Sequence, residues 1–323
     1  MSKLSVVLLT LAAALMPPVA PAQTWPSGPI RIIVPFPPGG SVDAIARLAQ
    51  AGLGQRLNAT IVIENHTGAS GSTGTALVAK APPDGNTWLI VFDTHAVNPT
   101  LLGNLPFDNE RDLEPVSLLA TAPYVVARNP ARPYADLPQL IRAAKAKPGS
   151  ISYASVGSGS IGHLALVLLS REAGIDLIHV PYRGGGPALN DAVAGHVDLI
   201  IASAAQLMPQ IAPGAIRPVL QMGAARLPAL PEVATVAESG YPGAQANAWW
   251  GLYAPAGTAK PIVERFRRAF VESLREERVA QQLTETQQMR LVLSGPEELR
   301  KFAGEQARIW GAVVRDNGIK GDD

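Results

Sequence analysis

Two hydrophobic rhythms alternate along the chain. Short apolar runs bounded by glycine or proline predict buried strands at "IRIIVPF" (30–36), "TIVIENH" (60–66) and "TWLIVFD" (87–93). Between them, Val42, Ile45, Ala46, Ala49 and Leu53 fall on one face at helical spacing, and "STGTALVAKA" predicts a second helix. Strand, helix, strand, helix, strand is the pattern of a parallel sheet covered by helices.

The pattern then repeats. "DLPQLIRAAKAKPG" predicts a helix with Asp136 as its cap, followed by a strand "ISYASV" (151–156) and a helix "HLALVLLSREAG". "DLIHVPY" (176–182), "VDLIIAS" (197–203) and "IRPVLQM" (216–222) predict further strands, with the helix "GPALNDAVAGH" between the first two. "DLEPVSLLATAPYVVARNP" (112–130) reads as a strand crossing to a second unit, and "NAWWGLYAPAG" (247–257) as a strand returning. "PIVERFRRAFVESLREER" predicts a long helix with Pro261 in its first turn; a strand "MRLVLSG" and a helix from Pro296 close the chain.

Each copy carries a strand, a glycine turn and a helix: "VPFPPGGSVD" in the first and "ASVGSGSIGH" in the second. A helix N-terminus has unpaired N–H groups and a partial positive charge, so such a turn can hold an anion without a cationic side chain. Gly39 and Gly40 would let backbone donors approach, and Ser41 could cap the helix. Asp43 argues against direct contact with an anion, because it already supplies negative charge there; a bridging water would reconcile the two. A tight turn with no ligand role is the other reading.

Gly157, Gly159 and Gly162 satisfy G-x-G-x-x-G after a strand and before a helix. Asp176, however, precedes the next strand rather than ending it, which is the wrong side for a ribose, so no dinucleotide cofactor is expected. The G-K-[ST] ending of a P-loop is missing, and neither Ser70 nor Ser160 sits in G-x-S-x-G. His163 could reach a cleft, but no acid is placed by sequence to orient it as a base.

Composition narrows the classes. The 323 residues contain no cysteine, so neither a disulfide framework nor a thiol nucleophile is available. A net charge of +1 with mixed signs gives no nucleic-acid face, and the five histidines show no metal spacing. The opening "MSKLSVVLLTLAAALMPPVAPAQ" has a basic start, a short apolar run and Ala20-Pro21-Ala22, which reads as a secretory signal cleaved between Ala22 and Gln23. A periplasmic protein is therefore expected.

The segments "WPSGPIRIIVPFPPGGSVDAIAR", "APPDGNTWLIV", "GSGSIGHL", "VPYRGGGPALNDAVAGHVDLI", "LPALPEVATVAESGYPG" and "WWGLYAPAGTAKPIV" together resemble the Bug-type periplasmic solute receptors of tripartite tricarboxylate transporters. The resemblance covers essentially the whole chain after the signal. It implies a two-lobed, type II-like α/β binding protein with a ligand cleft between two parallel-sheet lobes. The lobes are expected at 23–125 plus 250–323 and at 126–249, after a signal at 1–22. The implied function is capture of a small carboxylate (di-, tri- or aromatic) for uptake or sensing by a monomer, without cofactor or metal. Membrane subunits or a sensor are the implied partners.

Carried over, the resemblance points to Phe36, Gly39, Gly40 and Asp43 in the first turn and to Gly157, Ser158, Gly159, Ser160 and His163 in the second. Thr94, His95 and Tyr182 are expected at the cleft, and Arg183 at a solvated rim. One of Trp249 and Trp250 should face the cleft, since alternate strand residues face opposite sides, and Trp249 is the residue assigned. Many relatives carry an aspartate near Ser203; serine there makes an amino-acid ligand less expected. A periplasmic hydrolase or lyase using Ser160 and His163 is the alternative function.

Overall fold

The computed structural model describes residues 25–321, so the signal and its cleavage site lie outside the described residues. In chain order the strands are β1 (Ile30–Val34), β2 (Ile61–Asn65), β3 (Thr87–Phe92), β4 (Leu113–Arg128), β5 (Ser152–Ser155), β6 (Ile178–Pro181), β7 (Leu199–Ser203), β8 (Arg217–Gln221), β9 (Asn247–Pro255) and β10 (Arg290–Leu291). The α-helices are α1 (Ser41–Leu57), α2 (Ser72–Ala79), α3 (Thr94–Leu101), α4 (Leu137–Ala146), α5 (Ile161–Ala173), α6 (Gly185–Ala194), α7 (Ala204–Ile211), α8 (Lys260–Leu274), α9 (Glu277–Gln281) and α10 (Pro296–Asp316). No helix among the described residues is long and apolar enough to cross a membrane.

The strands follow the order β2-β1-β3-β9-β4-β7-β5-β6, with β8 and β10 both pairing to β4. β1 pairs in parallel with β2 and β3, and β5 in parallel with β6 and β7. These are the two expected parallel cores. Antiparallel β4 and β9 join them, which makes the whole sheet mixed. The 16-residue β4 runs through both halves of this arrangement. Its Leu113–Pro123 stretch pairs with β9, whereas Tyr124–Arg128 pair with β7 and β8.

The first lobe is built on β2-β1-β3-β9 and the second on β7-β5-β6. Every residue of β1 except Arg31 is buried, because helices cover both faces. On α1, the expected stripe of Val42, Ile45, Ala46, Ala49 and Leu53 is buried, and the helix ends where Asn58 takes a left-handed φ of 51°. Trp88 of β3 stacks on Phe266 of α8 at 3.6 Å between centroids, so the long C-terminal helix returns to the first lobe. Such a pair adds about 1 kcal/mol beyond its burial.

Some elements differ from the sequence expectation; α7, between the strands at 197–203 and 216–222, was not expected at all. α3 has no apolar periodicity to announce it and contains Pro99, yet the turn after β3 winds into a helix from Thr94. The strand expected at "MRLVLSG" shrinks to the two residues of β10, because Leu293 takes a left-handed φ of 52° and leaves the ladder.

Candidate functional site

The first turn runs from Phe36 to Ser41. Gly39 has φ +82°, a region open to glycine, and its N–H donates to Asp43 Oδ2 at 3.1 Å. Asp43 also accepts from Arg47 Nε at 2.8 Å and from Asn65 Nδ2 at 3.0 Å. Burial alone would raise the Asp43 pKa, but the bonds from Arg47, Asn65 and Gly39 hold it below the usual carboxylate range. Asp43 is therefore engaged inside the turn and positions it. Ser41 does not cap α1 either. Gly40 occupies the cap position without a side-chain bond, and Ser41 Oγ accepts from Trp250 Nε1 at 3.2 Å.

A small cavity of about 20 Å³ lies where the lobes meet. From the first lobe, Phe36, Phe92 and the start of α1 (Gly40, Ser41, Val42) line it; from the second come Val156, Gly184, Gly185, Ser203 and Gln206. Three helices, α1, α6 and α7, therefore begin at this cavity, and none has a side-chain cap on its N-terminus. Each such end carries roughly half a positive charge. No lysine or arginine lines the space. Ser203 Oγ is buried there without a hydrogen-bond partner. A volume this size holds about one water. A carboxylate needs the walls to separate.

The walls meet through contacts that can part. Ser70 Oγ of the first lobe donates to the Ser158 carbonyl at 3.1 Å, and Gln206 Nε2 lies 3.5 Å from the Gly39 carbonyl. A Cβ on Gly159 would lie 2.4 Å from Leu101 Cδ2, and one on Gly184 would lie 2.8 Å from Pro37 Cδ. Glycine thus allows the lobes to close tightly at both points.

The second turn serves this contact rather than the cavity lining. Ser160 Oγ accepts from the His163 N–H at 3.3 Å and caps α5, while the Gly159 N–H donates to His163 Nδ1 at 3.1 Å. The His163 ring stacks on His179 at 3.8 Å, and burial followed by His179 pushes its pKa down to about 3. His163 does not hydrogen-bond Ser160 Oγ with its ring, and it is a very weak base. A Ser160–His163 nucleophile pair has no geometric support.

Several expected residues are placed elsewhere. His95 lines a separate cavity beside Tyr253, because one step along a helix turns it about 100° from Thr94. Thr94 stays near the lobe contact, its hydroxyl donating to the Ser70 carbonyl at 2.9 Å. Trp249 packs on Phe302 of α10 with centroids 5.6 Å apart, on the far face of the sheet. Trp250 is the tryptophan on the cleft side, 5.5 Å from Phe92. The Tyr182 hydroxyl donates to Asp191 at 2.6 Å and is not aimed at the cavity. Gly157 and Ser158 adjoin Ser70, whereas Phe36, Gly40 and Ser203 line the space as expected. Arg183 is exposed, as a rim residue should be.

Sequence reasoning passed over Ser70, Gln206 and the cavity role of Gly184 and Gly185. The glycine run "RGGG" between β6 and α6 was the available signal for the last pair, since it repeats the strand–glycine–helix arrangement a third time. Asp93, at the end of β3, was also unmarked. It is fully buried, accepts from the Tyr124 hydroxyl at 2.6 Å and lies near the N–H groups of Ile161 and Thr94. Burial outweighs these partners and raises its pKa to about 8.

Residues 45–319 match the model of the tripartite tricarboxylate transporter family receptor. Protein BugT of Bordetella pertussis is 34% identical over 319 residues, covering 98% of each chain. The solved structure of Rpa4515 from R. palustris with adipate superposes with a TM-score of 0.87 at 30% identity, covering 92% of this chain and 99% of that one. MatC (Rpa3494) from Rhodopseudomonas palustris with bound malate gives 0.82 at 31%, covering 90% and 100%. With the family matched across most of its length and the two-lobed fold in common, this chain belongs to the tripartite tricarboxylate transporter receptor family.

Proposed function

We propose that the protein is an extracytoplasmic receptor that captures a small carboxylate by closing its lobes, for tripartite tricarboxylate-type uptake or sensing. The observation that carries this is the convergence of three uncapped helix N-termini on one inter-lobe cavity without a cationic side chain. Backbone donors and helix dipoles suit an oxyanion, and they leave the rest of the ligand to be chosen by Phe36, Phe92 and the small residues around them. Dicarboxylates are the first candidates, since adipate and malate are bound by the similar proteins named above. Ser203 can donate to a ligand oxygen or a water but offers no charge to an ammonium group.

The lobes are taken as 23–125 with 250–323 and as 126–249, and the partner switch of β4 at Tyr124 supports the first of these boundaries. Closure would then bend the chain near Tyr124 and near Asn247, where β9 meets Pro123. A leader ending at Ala22 would deliver the protein to the periplasm, where membrane subunits of the transporter or a sensor would read the closed form. Protein recovered from the periplasm should begin at Gln23; an intact Met1 on the exported protein would refute the leader.

A thermal-shift panel of mono-, di- and tricarboxylates tests the ligand class. At ~100 times its dissociation constant a ligand adds roughly 2.7 kcal/mol. At least one carboxylate should raise the melting temperature, and NAD and phosphate esters should not. Stabilisation by NAD alone would overturn the proposal.

Tryptophan fluorescence gives a local readout. Trp250 adjoins Ser41 and Phe92 of the cavity wall, whereas Trp249 lies on the opposite face. The ligand-induced change in emission should survive Trp249→Phe and disappear in Trp250→Phe. The reverse pattern would place the cleft on the other side of β9.

A further inference from the structure

A cavity of about 400 Å³ opens in the first lobe between α3, the segment 102–112, β9 and α10. It lies on the other side of α3 from the lobe contact and shares no lining residue with the inter-lobe cavity. Its volume is in the range of small-molecule sites. Leu105, Phe107, Pro99 and Pro115 supply apolar walls.

Two polar side chains reach it from inside. His95 is 5% exposed and Tyr253 is 4% exposed, and their rings pack together with centroids 4.9 Å apart. Among the described residues, neither the His95 imidazole nor the Tyr253 hydroxyl forms a hydrogen bond within the protein. Asn109 Oδ1 on the same wall is buried without a partner, and buried polar groups are nearly always paired, so this polar cluster calls for a partner inside the cavity. Their charge state limits what that partner is. Burial pushes the His95 pKa down to about 3 and raises that of Tyr253, so both are neutral at physiological pH.

The rim does not favour an anion. Arg300 lies at the mouth but faces Glu114 at 3.5 Å, and Asp108 and Glu110 also line the opening. A carboxylate entering here would face two carboxylates and a guanidinium that already has a partner. A hydrocarbon would leave His95 and Tyr253 unpaired.

We infer that this cavity is a second binding site, for a small neutral ring compound carrying one hydrogen-bonding group, such as a phenol or an aromatic alcohol. His95 and Tyr253 bind the polar group, and the apolar walls enclose the ring. The inference is independent of the carboxylate reading, because the two cavities share no lining residue.

Phenol is the probe, with toluene and benzoate as comparators. Histidine-selective NMR of the full mature protein reads the site through His95, assigned with His95→Phe. The resonances of His163, beside the lobe contact, report separately on the cleft. Phenol should shift His95 saturably, with a dissociation constant of about 1 mM or tighter. Toluene should bind about fivefold more weakly for want of the hydrogen bond, and benzoate at least about tenfold more weakly for its buried charge.

Gly304 gives the blocking variant. It lines the cavity, and a Cβ there meets nothing within 4 Å, so Gly304→Leu can start into open space, adds bulk at the cavity wall and favours its helix. It should abolish the phenol shift and leave the carboxylate-induced thermal shift intact. His95→Phe should weaken phenol, followed by ligand-detected NMR, by about fivefold. Failure of phenol to saturate His95, equal binding of benzoate at His95, or unchanged phenol binding in Gly304→Leu would each overturn the site. Because the carboxylate melt is measured on the same samples, failure there is seen separately.

Discussion

A Gly159→Val protein should lose at least tenfold in carboxylate affinity, about 1.4 kcal/mol. It should also fail to compact when ligand is added. The reason lies in the lobe contact. Gly159 has φ +76°, and a Cβ there would sit 2.4 Å from Leu101 Cδ2 in the other lobe. The backbone strain costs about 1–2 kcal/mol in either lobe arrangement, so it lowers stability without biasing closure. The collision with Leu101 exists only when the lobes are closed. It therefore penalises the closed state alone, and only such differential free energy shifts a two-state equilibrium.

Leu101→Ala in the same chain should restore part of the affinity and of the ligand-induced drop in radius of gyration, measured by small-angle scattering. Gly40→Val should weaken binding to a similar extent for a different reason. Gly40 has an ordinary φ of −80°, and a Cβ there meets only the Pro37 carbonyl at 3.6 Å, so valine there adds little strain but covers the start of α1 within the cavity. If a folded Gly159→Val protein binds and compacts like the parent, closure does not pass through this contact.

Stability should peak near pH 6.5 and fall on both sides. His95 and His163 are held neutral by burial, with pKa values of about 3 against an ordinary 6.5. A depressed pKa means that the folded state resists protonation. Their contribution is complete above pH 6.5 and is lost as pH falls towards 3, at about 1.4 kcal/mol per pH unit for each group.

Asp93 acts in the opposite sense. Its pKa is raised from 3.8 to about 8, so the folded state keeps a proton that the unfolded chain releases. That contribution is complete below about pH 4 and is lost as pH rises towards 8, again at about 1.4 kcal/mol per unit. Between pH 4 and 6.5 the two histidines outweigh the one aspartate, and above 6.5 only Asp93 still has a slope. Urea melts across the range should show both limbs. Asp93→Asn should flatten the alkaline limb, and His95→Phe should remove the net acid slope over pH 4–6.5 by leaving one histidine against Asp93. A stability curve in Asp93→Asn that still falls between pH 6.5 and 8 as in the parent would show that Asp93 is ionised in the fold.

The alternation of apolar runs with helical stripes made much of the fold legible before any coordinates. β1, α1, β3, β5 and β7 lie where their hydrophobic periods predicted, because burial of an entire strand or one helix face leaves a direct trace in residue order. The strand–glycine–helix turns were legible for the same local reason. α3 was not, since it is held by packing against α10 and by side-chain bonds such as Asn98 to the Ser70 carbonyl at 3.0 Å, rather than by its own periodicity.

Residue order by itself therefore determined most of the strands and helices and where glycine permits a turn, because those depend on neighbours within a few positions. Only the tertiary structure decided that Trp250 and not Trp249 faces the cleft, since period-two alternation is symmetric until one face is packed on α10. It also sent His95 away from Thr94, spent Asp43 within its own turn, and brought the starts of α1, α6 and α7 to one cavity. Residues 40, 184 and 203 are far apart along the chain. Which helix ends share a space depends on how β4 and β9 join the lobes, and such long-range pairing leaves no local pattern to read.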